Sequence, residues 1–380
     1  MLSSKNFDTY RESVAGRADV ADTPELVAYY GELGRLKTGA LWTVANKIEP
    51  WEPKSASVPV IWRYRELRDH VLRSVELVTP EKAGRRVIYL DNPGRRDVAA
   101  AVGWLYSGLQ VMHPGEAASA HAHSASALRF IMEGRGAYTI VDGHKMTLEA
   151  NDFVLTPNGT WHEHGVEADG LPCIWQDGLD IPFVNAMEAG FYAVHPDLRQ
   201  AVGHPVDDAV HIWGAAGLRP QDMGWNKPYS PLLKYQWGPT YEALLHYAGS
   251  RGDNPFDGAL MHYTNPVSGG HVMATIGASM QLLRPGFAGK AHRHTGSFLY
   301  QVAKGQGQSI INGQRFDWQE RDIFCVPSWA WHEHVNGSQT DDACLFSFHD
   351  LPVMEKLGLY REEALADHGG HQPVLPSPAP

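Results

Sequence analysis

A long internal repeat constrains this chain more than any other feature. Residues 121–165 return, altered but legible, as residues 292–336. Each copy begins with His-x-His, ends with Trp-His-Glu-His, and carries between them a Gly-x-Gly, a turn pair that includes glycine, and an Asp ahead of a Pro-containing apolar run. The offset falls from 171 to 170 residues along the copy, which places a one-residue slip between Gly136 and Asp142. A repeat of this length predicts two copies of one domain.

Length and charge narrow the class of protein. A chain of 380 residues is long enough for two domains with their own cores and some extensions. The net charge of −11 argues against a nucleic-acid partner, and we find no basic patch for a membrane surface. Without an N-terminal signal or a run of about 18 apolar residues, we expect a cytoplasmic protein. The three cysteines lack CxxC spacing and fit a reducing compartment.

Secondary-structure signals separate a helical beginning from two strand-rich regions. Thr23 followed by Pro24 is typical of a helix start, and residues 40–48 and 62–77 also have helical character. From about residue 85, short apolar runs alternate with turn residues, and the Asp-Gly and Asn-Gly pairs at 142 and 312 indicate type I′ hairpins. We therefore predict a mainly β fold: a helical N-terminal arm over 1–70, a first β domain over 71–190, an interdomain connection over 191–245, a second β domain over 246–355, and a C-terminal tail over 356–380 with a short helix over 353–367.

The repeated histidines have the spacing of metal ligands. Two histidines in a His-x-His on a strand lie on the same face, and a third from across a hairpin can meet them. Neutral imidazoles suit zinc, copper, iron and nickel. Polar residues on a solvent-facing strand would explain one such motif, but two matched copies favour metal binding. The predicted ligand sets are His121, His123 and His162 in the first copy and, as a possible second site, His292, His294 and His332.

The pattern resembles the cupin superfamily, whose motifs are G-x5-HxH-x3,4-E-x6-G and G-x5-PxG-x2-H-x3-N. Residues 115–123 fit the opening of the first motif, residues 157–162 fit the second, and His332 with Asn336 fits its ending. The resemblance implies two double-stranded β-helix (jelly-roll) barrels, that is, a bicupin. The motif glutamate is absent from both copies, so we expect three-His sites; its absence argues against a manganese oxalate enzyme or a germin-type oxidase.

Strand phase identifies charged candidates around the first site. If the His-x-His faces inward, so do Ala125, Ala127 and Arg129, and a buried arginine needs an anion. That anion is either a substrate carboxylate or a protein acid such as Asp177.

A second arginine is a further candidate for the substrate carboxylate. Arg85 is favoured by its strand phase, with Arg86 then facing solvent, although the phase leaves the choice between them open. Tyr106 and Gln110 share one face of a neighbouring strand. The second copy has no arginine at the position of Arg129.

Three local patterns resemble the gentisate 1,2-dioxygenase family of ring-cleaving bicupins. These are HxHSxxAxRF at 121–130, TPxxxxHxH at 156–164 and WxDGLDIPF at 175–183. The resemblance implies Fe(II) on the first histidine set, a homotetramer, and substrate contacts from Arg85, Tyr106, Gln110, Arg129, His164 and Asp177. Tyr106 stands where salicylate-cleaving relatives carry tryptophan, which favours gentisate.

The implied reaction converts gentisate and O2 to maleylpyruvate. Arg85 and Arg129 would hold the substrate carboxylate, and His164 with Asp177 would handle protons, because a His–carboxylate pair titrates near neutrality. The alternatives are cleavage of salicylate or 1-hydroxy-2-naphthoate by the same chemistry, a metal-dependent cupin isomerase that uses no oxygen, and a non-catalytic binding or storage bicupin. Six intact histidines argue against the last.

Overall fold

The computed structural model describes residues 21–214 and 217–375. The chain divides into two compact units, Met1–Lys54 and Ser55–Pro380. In the first unit, helix α1 (Pro24–Arg35) begins as predicted, because the Thr23 Oγ1 accepts a hydrogen bond of 3.3 Å from the backbone N–H of Leu26. A 3₁₀ turn (Leu41–Thr43) and a short helix α2 (Ala45–Ile48) follow where helical character was predicted.

The second unit contains two strand-rich repeats, each preceded by a short strand and a helix. The first repeat and its leader comprise β1 (Ile61–Trp62), α3 (Tyr64–Leu77), α4 (Pro80–Ala83), β2 (Val87–Tyr89), β3 (Tyr106–Met112), β4 (His121–His123), β5 (Ala127–Val141), β6 (His144–Leu148), β7 (Phe153–Thr156), β8 (His162–Leu179), α5 (Ile181–Ala186) and β9 (Tyr192–Val194). After α6 (Asp208–Trp213), the second repeat and its leader comprise β10 (Lys234–Tyr235), α7 (Trp237–Arg251), β11 (Ala259–His262), β12 (Gly277–Leu283), β13 (His292–His294), β14 (Phe298–Lys304), β15 (Gln306–Ile311), β16 (Gln314–Gln319), β17 (Ile323–Val326), β18 (His332–Val335), β19 (Ala343–His349), α8 (Leu351–Lys356) and β20 (Glu362–Ala364); a 3₁₀ turn, His368–Gly370, follows.

The two repeats form barrels of antiparallel strands, and both predicted hairpin turns are confirmed. Asp142 and Gly143 have φ values of 45° and 83°, and Asn312 and Gly313 have values of 48° and 78°, as a type I′ turn requires. In the first barrel the long strands β5 and β8 join all neighbours into one nine-stranded sheet. In the second barrel the equivalent strands are interrupted, which leaves a six-stranded and a five-stranded sheet.

The one-residue slip between the repeats lies earlier than the sequence indicated. Glu133 pairs with Ile174 as Lys304 pairs with Cys344, an offset of 171 on β5; Ala137 pairs with Leu148 as Gly307 pairs with Trp318, an offset of 170. The extra residue therefore sits between Glu133 and Ala137, where the register of β5 shifts repeatedly. A β-bulge absorbs an inserted residue without moving the strands on either side.

The C-terminal prediction is wrong for most of its length. Helix α8 ends at Lys356, and the segment predicted to continue it instead forms strand β20, which pairs with β13. This strand is the counterpart of β9, which pairs with β4 within the predicted interdomain connection. Both repeats thus extend one strand further than the sequence indicated.

Among the helices that the structure describes, none combines the length and the apolar composition of a membrane span.

The leading strands of the two repeats are exchanged. Strand β1, which precedes the first barrel, pairs with β17 of the second; strand β10, which precedes the second barrel, pairs with β7 of the first. The helices after them follow the same rule, because Asp322 Oδ1 accepts a 2.8 Å hydrogen bond from the backbone N–H of Tyr64, and Asp152 Oδ1 accepts one of 3.0 Å from that of Trp237. The repeated Asp therefore anchors the exchanged helix.

A shared core completes the union of the barrels. Phe130 of the first barrel stacks on Phe346 of the second with ring centroids 4.0 Å apart, and both side chains are fully buried. One apolar cluster contains these rings together with Val71 of α3 and Leu244 of α7. Neither barrel can therefore separate without exposing core side chains of both.

We expect Asp322→Ala to lower the free energy of unfolding by about 2–3 kcal/mol, because hydrogen bonds to a buried charged group are worth about that much together. Urea denaturation would measure the loss, and hydrogen exchange should quicken over residues 61–77. Asp317→Ala is the matched control, since its side chain is 62% exposed and pairs only with Arg315 among the ion pairs of the described residues. Equal effects of the two substitutions would contradict an anchoring role.

Candidate metal centre and substrate pocket

The first three predicted ligands converge inside the first barrel. His121 and His123 lie on β4, and His162 lies on β8 directly opposite His121. One ring nitrogen from each lies within 4.8 Å of the others, and all three side chains are buried. The alternation of side chains along β4 and the hairpin pairing of β8 therefore bring the ligands together as predicted.

Backbone carbonyls fix the orientation of these imidazoles. Each Nδ1 lies 2.8–3.0 Å from a carbonyl oxygen two residues away, and because a carbonyl can only accept, each Nδ1 carries the proton. The Nε2 atoms are therefore unprotonated. Those of His123 and His162 are buried without a hydrogen-bond partner among the described residues. Convergent, unprotonated and unpartnered imidazole nitrogens are what a metal ion requires.

Burial keeps the ligands neutral. It lowers the pKa of His121 to about 3, with the Arg85 charge adding to the effect, and the pKa of His123 to about 4. The pKa of His162 falls well below its usual value for the same reason, with the two neighbouring histidines contributing. All three rings are thus neutral at neutral pH.

Arg85, not Arg86, points to the metal centre. The Arg85 Nη1 lies 2.8 Å from the Nε2 of His121, the same nitrogen that would bind metal. Arg86 is buried and pairs with Glu116, so the expectation that it faces solvent is wrong. A separate cavity of about 150 Å³ borders both arginines and Gln110 but none of the three histidines. The first site therefore has a cation within hydrogen-bonding distance of one of its ring nitrogens.

Arg129 meets the acid that the sequence offered as the alternative to substrate. Its Nε lies 3.0 Å from Oδ1 of Asp177, its Nη1 donates to Thr156 Oγ1 at 3.2 Å, and both charged side chains are buried. Burial lowers the pKa of Arg129 to about 10, which Asp177 opposes, and burial raises the pKa of Asp177. The structure gives no hydrogen bond to Nη2 from the residues it describes, so this nitrogen is left for a ligand.

His164 does not pair with Asp177. Its Nδ1 lies 3.4 Å from Thr139 Oγ1, and its Nε2 is buried without a hydrogen-bond partner in the described residues. Burial, followed by the charge of Arg129, lowers its pKa well below the usual value. Because Asp177 lies against Arg129 instead, the predicted His–carboxylate pair is not formed.

The remaining predicted residues line the same region. Tyr106 packs with Ala125, Ala127 and Leu179, and stacks on Tyr89 at 6.5 Å. Burial raises its pKa to about 12, so its hydroxyl stays protonated. The Oε1 of Gln110 is buried and has no hydrogen-bond partner among the described residues.

Two residues near the centre were missed by the sequence analysis. Tyr192 of β9 stacks on the ring of His121 with centroids 5.4 Å apart, but it falls in the segment predicted to be a connection. Trp175 lies edge-on to His164 at 6.4 Å, and its buried indole N–H opposes the burial-driven rise in the pKa of Asp177. The repeat gave no signal for Tyr192, because its counterpart on β20 is Glu362, which shares no chemistry with a tyrosine.

The second three-His set also converges, but with opposite charge around it. The ring nitrogens of His292, His294 and His332 lie within 4.8 Å of one another. His292 Nε2 lies 3.7 Å from Asp257 Oδ1, and its Nδ1 lies 3.8 Å from Glu362 Oε1.

Aromatic rings fill the space beside this second set. Phe298 packs on His294 at 4.7 Å, and Tyr300, the counterpart of Arg129, packs on His334 at 5.0 Å. The opposing residue is Ser347 where the first barrel has Asp177. The second set could hold a metal ion, and the charged side chains that its His292 meets among the described residues are acidic.

Comparison with known proteins identifies the family of both barrels. The cupin domain family matches residues 108–182 and 279–349. Gentisate 1,2-dioxygenase 1 of Aquipseudomonas alcaligenes is 36% identical over 342 residues, which cover 90% of this chain and 97% of that protein. The chain belongs to the gentisate 1,2-dioxygenase family of bicupins.

Other members of this family support the assignment. A 5-aminosalicylate 1,2-dioxygenase of a Comamonas species is 37% identical over 356 residues, which cover 92% of each chain. The solved structure of a tryptophan-to-tyrosine variant of salicylate 1,2-dioxygenase from Pseudoaminobacter salicylatoxidans, in complex with gentisate, has a TM-score of 0.85 at 33% identity and covers 93% of this chain and 98% of that one. The chain is thus a metal-dependent, ring-cleaving dioxygenase.

We expect the affinity of the first site for a divalent metal to change little between pH 7 and pH 5.5. Metal competes with protons for imidazole lone pairs, so affinity falls only as the pH approaches the pKa of the ligand. Three histidines with ordinary pKa values of about 6.5 would lose roughly two to three orders of magnitude over this interval. Ligands with pKa values of about 3 and 4 stay unprotonated.

Competition with a chelator at both pH values, corrected for the chelator's own protonation, would measure this. The variant His332→Ala removes a ligand from the second three-His set, so that metal bound there does not contribute. A hundredfold loss of affinity at the lower pH would contradict the burial argument.

Proposed function

We propose that this protein is a gentisate 1,2-dioxygenase that binds Fe(II) through His121, His123 and His162. The observation that carries the proposal is the guanidinium of Arg85, which lies 2.8 Å from the metal-facing Nε2 of His121. A cation there repels a bare metal ion but attracts an anion that binds metal and arginine together. An aromatic acid with an ortho-hydroxyl supplies such an anion, which agrees with the names of the relatives.

The charges of the two centres support assigning the chemistry to the first. Arg85 and Arg129 bring two positive charges and Asp177 one negative charge, so the first pocket has a net charge of +1 before metal binds. The second centre has Asp257 and Glu362 near His292. An acidic substrate therefore gains attraction in the first barrel and repulsion in the second.

Bound Fe(II) would bind the aromatic acid and dioxygen together and let electrons pass from the acid to the oxygen. The protein's own residues position the substrate. Arg85 holds the carboxylate from one side, and the free Nη2 of Arg129 does so from the other. Asp177 keeps Arg129 in place as a positioning residue, and the unpartnered Oε1 of Gln110 accepts a hydrogen bond from a substrate hydroxyl.

The reaction breaks the ring bond between the carboxylate-bearing carbon and the adjacent hydroxylated carbon, and both oxygen atoms of O2 enter maleylpyruvate. A substrate hydroxyl must lose its proton as the ring is oxidised. His164 is the acceptor that the geometry favours, because its buried Nε2 has no other hydrogen-bond partner in the described residues. Asp177 assists only through Arg129.

Oxygen uptake by the Fe(II)-loaded protein tests the proposal. With gentisate we expect one O2 consumed per substrate, and little uptake with salicylate or 1-hydroxy-2-naphthoate, whose dioxygenases are the closest alternatives. His162→Ala should abolish turnover because it removes a ligand, whereas the matched His332→Ala should retain it. Uptake with all three acids would mean a permissive ring-cleaving enzyme. No uptake despite bound iron would favour an isomerase or a binding protein.

Arg85→Gln should raise KM for gentisate about 10- to 100-fold, since a hydrogen bond to a charged group is worth about 1.5–3 kcal/mol. Arg86→Gln is the matched control, because its side chain pairs with Glu116 and should leave KM unchanged. Steady-state oxygen electrode kinetics would separate KM from kcat. If the two variants behave alike, the guanidinium of Arg85 does not bind the carboxylate.

Tyr106→Trp should lower the ratio of kcat/KM for gentisate to that for salicylate by roughly tenfold, the scale of one lost polar contact or altered pocket volume. The Tyr106 hydroxyl stays protonated and can form a hydrogen bond with the additional hydroxyl of gentisate. A tryptophan at this position has no hydroxyl there. Tyr89→Trp is the control, because Tyr89 stacks on Tyr106 from a position that is 50% exposed. An unchanged ratio for Tyr106→Trp would remove this residue from substrate selection.

The family resemblance extends the proposal to a homotetramer that acts in the cytoplasm. Light scattering coupled to size-exclusion chromatography would test the first part, and cell fractionation the second.

A further inference from the structure

A third cluster of metal-binding side chains lies outside both three-His sets. Its members are His144, at the start of β6; His204, in the segment that joins β9 to α6; and Asp208, the first residue of α6. The backbone of this segment runs along β6, because the N–H of Gly203 donates to the carbonyl of Gly143 at 3.0 Å and that of Asp207 to Lys145 at 2.9 Å. Two hydrogen bonds therefore hold the cluster together without metal.

The three side chains of the cluster are close enough to reach a single ion. One ligand atom from each side chain lies within 4.8 Å of the other two. The rings of His144 and His204 stack with centroids 3.6 Å apart, so one ring has to rotate before both can direct a lone pair at the same ion; His204 Nδ1 lies 3.6 Å from Asp208 Oδ2. The side chain of His204 is 43% exposed, so an ion can reach the cluster from solvent.

One atom remains unexplained without a ligand. The Nδ1 of His144 is buried and has no hydrogen-bond partner among the described residues. A stacked pair of histidines accounts for the ring contact but not for this nitrogen, since an unpaired buried polar atom costs roughly 1–3 kcal/mol. Burial, with His204 contributing, also lowers the pKa of His144, which leaves its lone pair free at neutral pH.

We propose that His144, His204 and Asp208 bind a divalent transition-metal ion of the zinc, nickel or copper class. Two imidazoles and one carboxylate favour such ions over magnesium and calcium, which prefer oxygen ligands. Water completes the coordination on the exposed side. The ion is separate from the proposed catalytic iron and cross-links residues 203–208 to strand β6.

The cross-link has a structural consequence close to the first barrel's centre. The same segment reaches the neighbour of a predicted iron ligand, because the backbone N–H of Gln200 donates to Glu163 Oε2 at 2.9 Å, and Arg199 pairs with Glu163 at 3.3 Å. Gln200 also donates from Nε2 to the carbonyl of Ile140 at 3.2 Å. Fixing residues 203–208 to β6 therefore holds down the end of the segment that packs behind His162.

Zinc titration of the metal-free, full-length protein tests the proposal by calorimetry. The three-His sets can also take zinc, but they are common to every variant, so the difference reports the third cluster. We expect His204→Ala to bind one equivalent fewer than the unmodified protein, and Asp208→Asn to bind that equivalent at least tenfold more weakly. His211→Ala, a nearby exposed histidine on α6 outside the cluster, should match the unmodified protein.

Hydrogen exchange supplies a readout that does not depend on dioxygenase activity. Zinc should slow exchange over residues 203–208 in the unmodified protein and in His211→Ala, but not in His204→Ala. Equal stoichiometry and affinity in all variants would overturn the proposal, as would equally tight binding of Mg²⁺. Neither result bears on the iron-dependent reaction, so this inference and the proposed function can fail separately.

Discussion

The exchange of leading strands is the constraint on which the rest of this structure depends. Each barrel lacks an edge strand and a covering helix of its own and receives them from the segment ahead of the other repeat. Asp152 and Asp322, the same position in the two copies, use their buried carboxylates to start the helix they receive. The stacked pair Phe130 and Phe346 then lies in a core that neither repeat could close alone. The two repeats therefore form one compact unit and not two independent domains.

Within this symmetric scaffold, a few substitutions give the two centres opposite character. Strand register makes Tyr300 and Ser347 the counterparts of Arg129 and Asp177, and it makes Gly258 the counterpart of Arg85, beside Asp257. Three histidines converge in both barrels, because their positions follow from strand alternation and hairpin pairing, although the rings are oriented differently in the two sets. The pocket chemistry differs, because it depends on side chains that the barrel fold itself does not require.

The sequence predicted the barrels, the hairpins and both ligand sets, since each follows from local periodicity that the repeat displays twice. It did not predict the exchanged strands, because β1 and β10 are two residues long and pair with partners far away in the chain. It misplaced the register slip, since a β-bulge leaves little trace in residue type. It left the partner of Arg129 open and paired Asp177 with His164, because strand phase gives a side chain's direction but not which of several neighbours it meets.

The hydrogen bonds from Nδ1 of His121, His123 and His162 to carbonyls two residues away have a consequence for how the centre is assembled. The ring orientations are set by the strand backbone during folding, so their conformational entropy is already lost before any ion arrives. Such a rigid cage differs from small zinc domains, which fold only when metal binds. The ion can therefore be removed and replaced without refolding the barrel around it.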